Sequence, residues 1–346
     1  MATLTQPAHL LFPIAHPEDA GAVRRMVSRM AVQNGMDAAL LPQVELAVTE
    51  LAGNLVRHAD SGGSILARTI STARGVGIEV LSVDHGPGIA DLAAALNGSN
   101  GQSRDGLGCG LAAVRRLATM FDVYTLAGAG TVVMARFLPD GALATQRWSG
   151  ISVAFDNGDQ CGDAWAIAED NGRTTAIVVD GLGHGAKAAE AARAAVSAFE
   201  ASSGDDLEQL AHHVHTAMRP TRGGAVGLCR LDPQQRRAEF VGVGNVAGRL
   251  VANGDSHAMV SLSGTLGVEL TPPRIRRMDY DLDDSATLVM SSDGVRDGFD
   301  VDAHPGLFTH DPLVIAAMIH GECTRGTDDA TVLVVRPVPR TAAVVQ

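Results

Sequence analysis

A chain of 346 residues, 46% of them apolar, has room for about two domains and enough apolar side chains for two cores. Its net charge of −12, with Lys187 the only lysine, excludes a basic face for nucleic-acid phosphates; a solubilising acidic surface accounts for most of the excess acid. No run approaches the roughly 18 apolar residues of a membrane span. The four cysteines at 109, 161, 229 and 323 form no Cys-x-x-Cys pair, and no Lys or Arg precedes Arg24, so the pattern predicts a cytoplasmic protein with reduced thiols.

Helical periodicity runs over residues 17–34 and 42–59. Strands are expected at 64–70 and 76–83, then a Gly/Ser/Asn-rich loop over 97–108, a helix near 110–121, and strands at 122–126 and 131–138. Residues 141–149 read as a linker after Pro139. Beyond it, strands are expected near 151–155, 164–168, 174–179, 224–231, 237–243, 246–251, 286–291 and 330–336. Helices are expected near 186–202, 206–218 and 311–320, the middle one opened by Asp205 as N-cap with Glu208 as its reciprocal partner. The expectation is an α+β chain: a first domain over 1–140, a strand-rich second domain over 150–338, and a tail at 339–346.

In the helix at 42–59, Val44, Ala47, Val48, Leu51 and Leu55 form one stripe, with Glu50 and Asn54 four apart on its flank. A carboxylate and an amide held together there can share a cation and its waters. Asp84 closes the next strand and opens Asp84-His-Gly-Pro-Gly-Ile89. An acid in that place can accept from an exocyclic amine, while Gly86 and Gly88 let backbone approach a flat ring. Gly106-Leu-Gly-Cys-Gly-Leu111 then enters a helix whose free N–H groups suit phosphate oxygens. A Rossmann turn would follow a strand directly, whereas a polar loop precedes this motif; a P-loop needs Gly-Lys-Ser/Thr, and Lys187 lies elsewhere. In order and spacing the three segments resemble the GHKL ATP-binding superfamily, in its anti-sigma serine kinase branch of RsbT type. The resemblance implies a Bergerat α/β sandwich that binds ATP. In it Glu50 acts as general base, Asn54 ligates Mg²⁺, Asp84 reads adenine, and Gly86, Gly88, Gly106, Gly108 and Gly110 border the nucleotide. Arg104 is the candidate phosphate counter-charge.

In the second half, acids stand where apolar runs meet glycine turns: Asp163 in Cys161-Gly-Asp, Asp180 in Asp180-Gly-Leu-Gly-His-Gly185, Asp293 before Gly294, and Asp328-Asp329 after Gly326. Hard divalent cations take oxygen ligands, and carboxylates at several strand ends can converge on one. The four segments in this order resemble the metal-dependent PP2C phosphatase superfamily, in the bacterial branch of SpoIIE and RsbX. That resemblance implies an αββα sandwich in which Asp163, Asp180, the Gly181 carbonyl, Asp293 and Asp328 hold two Mg²⁺ or Mn²⁺ ions, Asp328 being preferred to Asp329 by motif position. Asp180 and Asp293 are then the catalytic acids. His184 is a neighbour of that site, Asp283-Asp284 shape a turn, Cys109 fills space, and His212, His213 and His215 read as a solvated helix face.

Together the resemblances imply a regulator that phosphorylates and dephosphorylates a serine or threonine of one STAS-domain antagonist protein. A sigma factor or a downstream phosphatase would be a further partner; no nucleic acid or membrane is involved. The alternative is a nucleotide-gated clamp on a partner, without kinase turnover, fused to an active phosphatase. A sensor histidine kinase is disfavoured, because no dimerisation helix carries an acceptor histidine.

Overall fold

The computed structural model describes residues 2–59, 62–98, 110–142, 147–155 and 160–338. In chain order the elements begin β1 (Ala2–Thr5), β2 (Leu10–Ile14), α1 (Pro17–Gln33), α2 (Leu41–His58), β3 (Gly63–Thr72), β4 (Gly75–Asp84), α3 (Leu92–Asn97), α4 (Gly110–Leu117), β5 (Met120–Leu126) and β6 (Gly130–Phe137). There follow β7 (Trp148–Val153), β8 (Asp163–Asp170), β9 (Arg173–Gly181), α5 (Ala186–Ser202), α6 (Leu207–Met218), β10 (Gly224–Asp232), β11 (Arg237–Val243) and β12 (Ala247–Ala252). The last are β13 (Asp255–Met259), β14 (Ser261–Leu262), β15 (Met278–Asp281), β16 (Thr287–Ser291), α7 (Pro312–Cys323) and β17 (Ala330–Val335).

These elements make two compact units, and the expected break at 141–149 does not separate them cleanly. One unit is His9–Thr145 with Thr309–Gly321; the other is Met1–Ala8 with Gln146–Phe308 and Glu322–Gln346. The N-terminal strand β1 pairs with β8 in the second unit, from Ala2 opposite Glu169 to Thr5 opposite Ala166. Conversely, most of α7 belongs to the first. Its residues Leu313 to Ile319 are all buried, and a helix apolar all round must be enclosed rather than laid on a surface.

The first unit carries an antiparallel sheet of order β2-β3-β4-β6-β5. Strand side chains alternate between faces, so Ile65 and Ala67, Ile78 and Val80, and Val133, Ala135 and Phe137 form one apolar face. It joins the Val44, Val48, Leu51 and Leu55 stripe of α2 in a single core. Pro17 at the first turn of α1, with Asp19 accepting from the Ala15 and His16 N–H groups at 2.9 and 2.7 Å, sets the start of that helix. The other face of the sheet buries charge. Glu79 lies 2.9 Å from Arg68 and 3.2 Å from His9 and also pairs with Arg136, which donates two further bonds to Asp311, at 2.9 and 3.1 Å. Burial works against a charged Glu79, yet Arg68 and Arg136 hold its carboxyl well below the usual range.

The second unit is a two-sheet sandwich, as the α+β expectation requires. A seven-stranded sheet ordered β1-β8-β9-β10-β11-β14, with β15 also on β11, packs against a five-stranded sheet ordered β13-β12-β16-β17-β7. Trp165, Val178 and Phe240 meet Leu250, Leu288, Met290 and Leu333 between them. On the outer face of the larger sheet, Ile177, Val179 and Val226 pack under Ala191, Ala195 and Phe199 of α5 and Leu210 and Val214 of α6.

Two local expectations are corrected. The cap of α6 is Asp206, which accepts from the Glu208 N–H at 2.9 Å, while Glu208 accepts from the Arg277 N–H rather than closing a capping box with Asp205. His215 is not on a solvated face: it is buried, and its Nδ1 accepts from the Gly267 N–H at 3.1 Å. The strands β1, β2, β13, β14 and β15 and the short α3 were not foreseen. β13, for one, follows an Asn253-Gly254 turn and carries mostly exposed side chains, so it has little apolar alternation to read.

Candidate functional site

In the first unit a cavity of about 400 Å³ is lined from α2, β4, β6 and the start of α4. Asn54, Asp84, Gly88 and Gly110 all line it, so three segments distant in sequence meet around one space. Asn54 Oδ1 accepts from Arg57 at 3.0 Å. Glu50, one turn earlier, is buried and is not among the lining residues; its Oε2 accepts from the Gly110 N–H at 3.2 Å, which ties the base candidate to the glycine-rich segment. Asp84 Oδ1 accepts from the Gly86 N–H at 2.8 Å, and burial raises its pKa. Gly88 adopts φ +78°, and a Cβ there would meet the Leu126 carbonyl at 2.6 Å, so no side chain could occupy the position without displacing backbone. Arg104, Gly106 and Gly108 lie outside the described residues.

Thr131 lines the cavity and was not singled out in the sequence. Thr131 stands opposite Asp84 in the β4–β6 ladder, and its hydroxyl is 3.0 Å from that of Thr125. A carboxylate and a hydroxyl side by side, flanked by Leu55, Ile89 and Val133, suit an apolar ring that carries an amine. The available signal was Thr131 at the start of an expected strand, but its partner across the sheet could not be read from one strand alone.

In the second unit the acids gather at strand ends. Asp163 opens β8 directly opposite Asp180 near the end of β9. Asp293 follows β16, and Asp328-Asp329 precede β17, its antiparallel partner. These turns are tightly packed: a Cβ on Gly294 would come 1.9 Å from the Asp329 carbonyl, and one on Gly181 would come 2.3 Å from that of Ala188. Like charges opposite each other weaken a ladder, and the carboxyls of Asp163, Asp180 and Asp293 are held above their usual range. Burial and the charges of Asp293 and Asp328 push Asp180 up to about 7. Burial and Asp180 raise Asp163 well above the usual carboxylate range, and burial and Asp328 raise Asp293. Among the described residues no group of three His, Cys, Asp or Glu side chains forms a ready-made cage; what the acids share is uncompensated charge, which divalent cations would relieve.

The neighbours divide the acids by role. Both oxygens of Asp329 are taken by backbone, from the Phe155 N–H and the Gly162 N–H, each at 2.7 Å, so it anchors the turn. Among the described residues, Asp328 accepts from the Asp329 N–H alone, at 2.9 Å. Ser292 donates to Asp163 at 2.6 Å, and Asn245 donates to Asp293. Neither was singled out in the sequence, because each acts on a residue far away in the chain or carries no motif of its own. His184 is exposed and stands edge-on to Phe155, with ring centroids 5.5 Å apart.

Residues 14–137 match the histidine kinase-like ATPase domain family, and residues 170–338 match the family of stage II sporulation protein E (SpoIIE). The serine/threonine-protein kinase RsbT of Bacillus subtilis (strain 168) is 30% identical over 117 residues, 34% of this chain and 86% of RsbT. The phosphoserine phosphatase RsbX of the same organism is 26% identical over 136 residues, 39% of this chain and 67% of RsbX. A solved structure from the bacterial stressosome, described as a modular system adapted to control secondary messenger signalling, superimposes with a TM-score of 0.52 at 26% identity. It covers 55% of this chain and 98% of its own.

Proposed function

Because the chain belongs to the histidine kinase-like ATPase family over residues 14–137 and to the SpoIIE family over residues 170–338, we propose that it is a partner-switching regulator with two opposed activities. Its first unit phosphorylates, and its second dephosphorylates, a serine or threonine of one STAS-domain antagonist protein. A sigma factor or downstream phosphatase receives the output. The observation that carries this reading is the coexistence in one chain of a cavity around Asn54 and Asp84 and a separate cluster of mutually repelling acids around Asp180.

In the first unit, ATP with Mg²⁺ supplies the transferable phosphoryl group. Asp84 and Thr131 would orient the base, Asn54 would hold the metal, and Gly110 would border the phosphates. The Glu50 carboxylate, oriented by the Gly110 N–H, would take the proton from the substrate hydroxyl as the hydroxyl oxygen bonds to the γ-phosphorus of ATP and the bond to the β,γ-bridging oxygen breaks, releasing ADP. In the second unit, Asp163, Asp180, the Gly181 carbonyl, Asp293 and Asp328 would hold two Mg²⁺ or Mn²⁺ ions. When bound, such ions supply an activated water and neutralise phosphoryl charge. Ser292 and Asn245 donate to the carboxylates of Asp163 and Asp293 and so orient them.

The test mixes the full chain, ATP, Mn²⁺ and a candidate STAS antagonist and compares it with the Asp180→Ala chain. Phosphoantagonist should accumulate much further with the variant. Equal accumulation at equal rate, with purified phosphoantagonist stable in the presence of the wild-type chain, overturns the shared-substrate reading.

A further inference from the structure

Helix α7 joins the first unit from within the residues of the second, and its two ends are held by different means. At its start the Asp311 N–H donates to Asp122 at 2.7 Å, His310 Nδ1 lies 2.9 Å from the same carboxylate, and Arg136 donates twice to Asp311. Asp311 also accepts from the Leu313 N–H at 2.8 Å, so the first turn is fixed to β5 and β6 by charge-assisted bonds. The other end meets the wall of the cavity. A Cβ on Gly321 would lie 3.2 Å from Val83 Cγ1 and 3.5 Å from His85 Cε1. Glycine in a helix costs about 1 kcal/mol relative to alanine, and here it lets the last turn sit directly on the end of β4. Successive residues of a strand face opposite ways, so Asp84 lines the cavity while Val83 and His85, before and after it, meet α7. One strand end thus separates the cavity from the helix.

Gly321 is the last residue of this excursion, and from Glu322 the chain belongs to the second unit. There it is pinned at once. The Arg296 N–H donates to the Cys323 carbonyl at 2.7 Å, the Arg325 N–H donates to the Gly294 carbonyl at 2.8 Å, and Thr324 and Val295 form an antiparallel bridge between those bonds. The Glu322 carbonyl accepts from the Arg296 guanidinium at 2.7 Å, and the Glu322 carboxylate lies 2.7 Å from His304 Nε2. Gly294 directly follows Asp293, one of the acids proposed to hold metal. Cys323 is two residues beyond Gly321, a span of at most about 7 Å, so no slack linker absorbs a movement of the β4 end.

We infer that residues 321–325 are a strap through which occupancy of the cavity around Asp84 orders the turn that carries Asp293, so that hydrolysis in the second unit responds to nucleotide in the first. The inference rests on the two activities proposed above and adds a regulatory connection between them. A ligand that fills the cavity holds the end of β4 in one position; through Gly321 it holds residues 322–325, and through their hydrogen bonds the backbone of 294–296. Val83, His85 and Gly321 act here as positioning residues, and none of them touches a reacting atom.

The test uses the full chain, as wild type, His85→Ala and Asp84→Asn, with a non-hydrolysable ATP analogue and Mn²⁺ in excess over it. Calorimetry measures binding, amide hydrogen exchange reads the Arg296 and Arg325 N–H groups, and hydrolysis of a phosphoserine peptide gives kcat. In wild type the analogue should slow exchange at both amides about fivefold and raise kcat by about the same factor, the lower end of typical coupling between sites. His85 is exposed and is not among the cavity's lining residues, so His85→Ala should bind the analogue as wild type does and lose most of both responses. Asp84→Asn should lose binding and both responses together, which excludes a direct action of the analogue's phosphates on the acids. An analogue that binds wild type and leaves exchange at Arg296 and Arg325 unchanged overturns the inference. So does a response undiminished in either variant, or slowed exchange with unchanged or lower kcat. If wild type shows no Mn²⁺-dependent hydrolysis, the phosphatase reading fails, and exchange alone decides on the strap. If the analogue does not bind, the ATP reading fails and the inference falls with it.

Discussion

Replacing Asp180 by Asn should inactivate the second unit and at the same time stabilise its metal-free form. The carboxyl is pushed from 3.8 to about 7 by burial and by the charges of Asp293 and Asp328. The folded state thus holds this proton more tightly than the unfolded state, so stability is lost as pH rises from about 4 through about 7. A shift of about 3 units at ~1.36 kcal/mol each corresponds to roughly 4 kcal/mol by pH 8. Because the repulsion is shared among several acids, removing one charge should return about 2–4 kcal/mol. For a unit of this size that is about 4–16 °C in melting temperature. The assay is differential scanning calorimetry in a chelator at pH 5 and pH 8, repeated with Mn²⁺, following the transition that the metal moves. The variant should melt higher than wild type at pH 8, match it at pH 5, and respond to Mn²⁺ much less. A variant that melts no higher than wild type at pH 8, or gains as much at pH 5, refutes the argument that uncompensated charge is what these acids share.

Glu79→Leu should destabilise the first unit by about 3–5 kcal/mol, because it leaves Arg68 and Arg136 buried beside each other without their common carboxylate. For about 150 residues that is roughly 6–20 °C by thermal melting, and a loss under about 1 kcal/mol would mean that the cluster contributes little. Glu50→Gln should leave nucleotide binding within about twofold while cutting phosphotransfer by about 10²–10⁴, the range for losing a general base. Asn54→Ala should weaken Mg·ATP binding as well. Calorimetry with an ATP analogue beside a transfer assay checks both, and equal affinity in the two variants would dissolve the proposed split of roles.

What the sequence determined by itself is what is local along the chain. The apolar stripe of α2 with Glu50 and Asn54 on its flank, the strand at 76–83 closing on Asp84, and the acids at the ends of β8, β9 and β16 all follow from periodicity and turn chemistry within a few residues. Helix α5 was expected and observed over the same residues, 186–202, because its first turn, alanine-rich body and stop are all contiguous. What only the tertiary structure decided depends on residues far apart in sequence. β1 crosses to the second unit because a sheet edge is completed by backbone hydrogen bonds that carry little side-chain signal. Arg136 meets Asp311 across 175 positions, and Glu79 becomes the centre of a buried ion cluster rather than an exposed strand charge. The choice of Asp206 over Asp205 as cap and the commitment of Asp329 to the Phe155 and Gly162 N–H groups have the same origin. Each is settled by which donor or charge the fold brings within about 3–4 Å, the range at which hydrogen bonds and close ion pairs form.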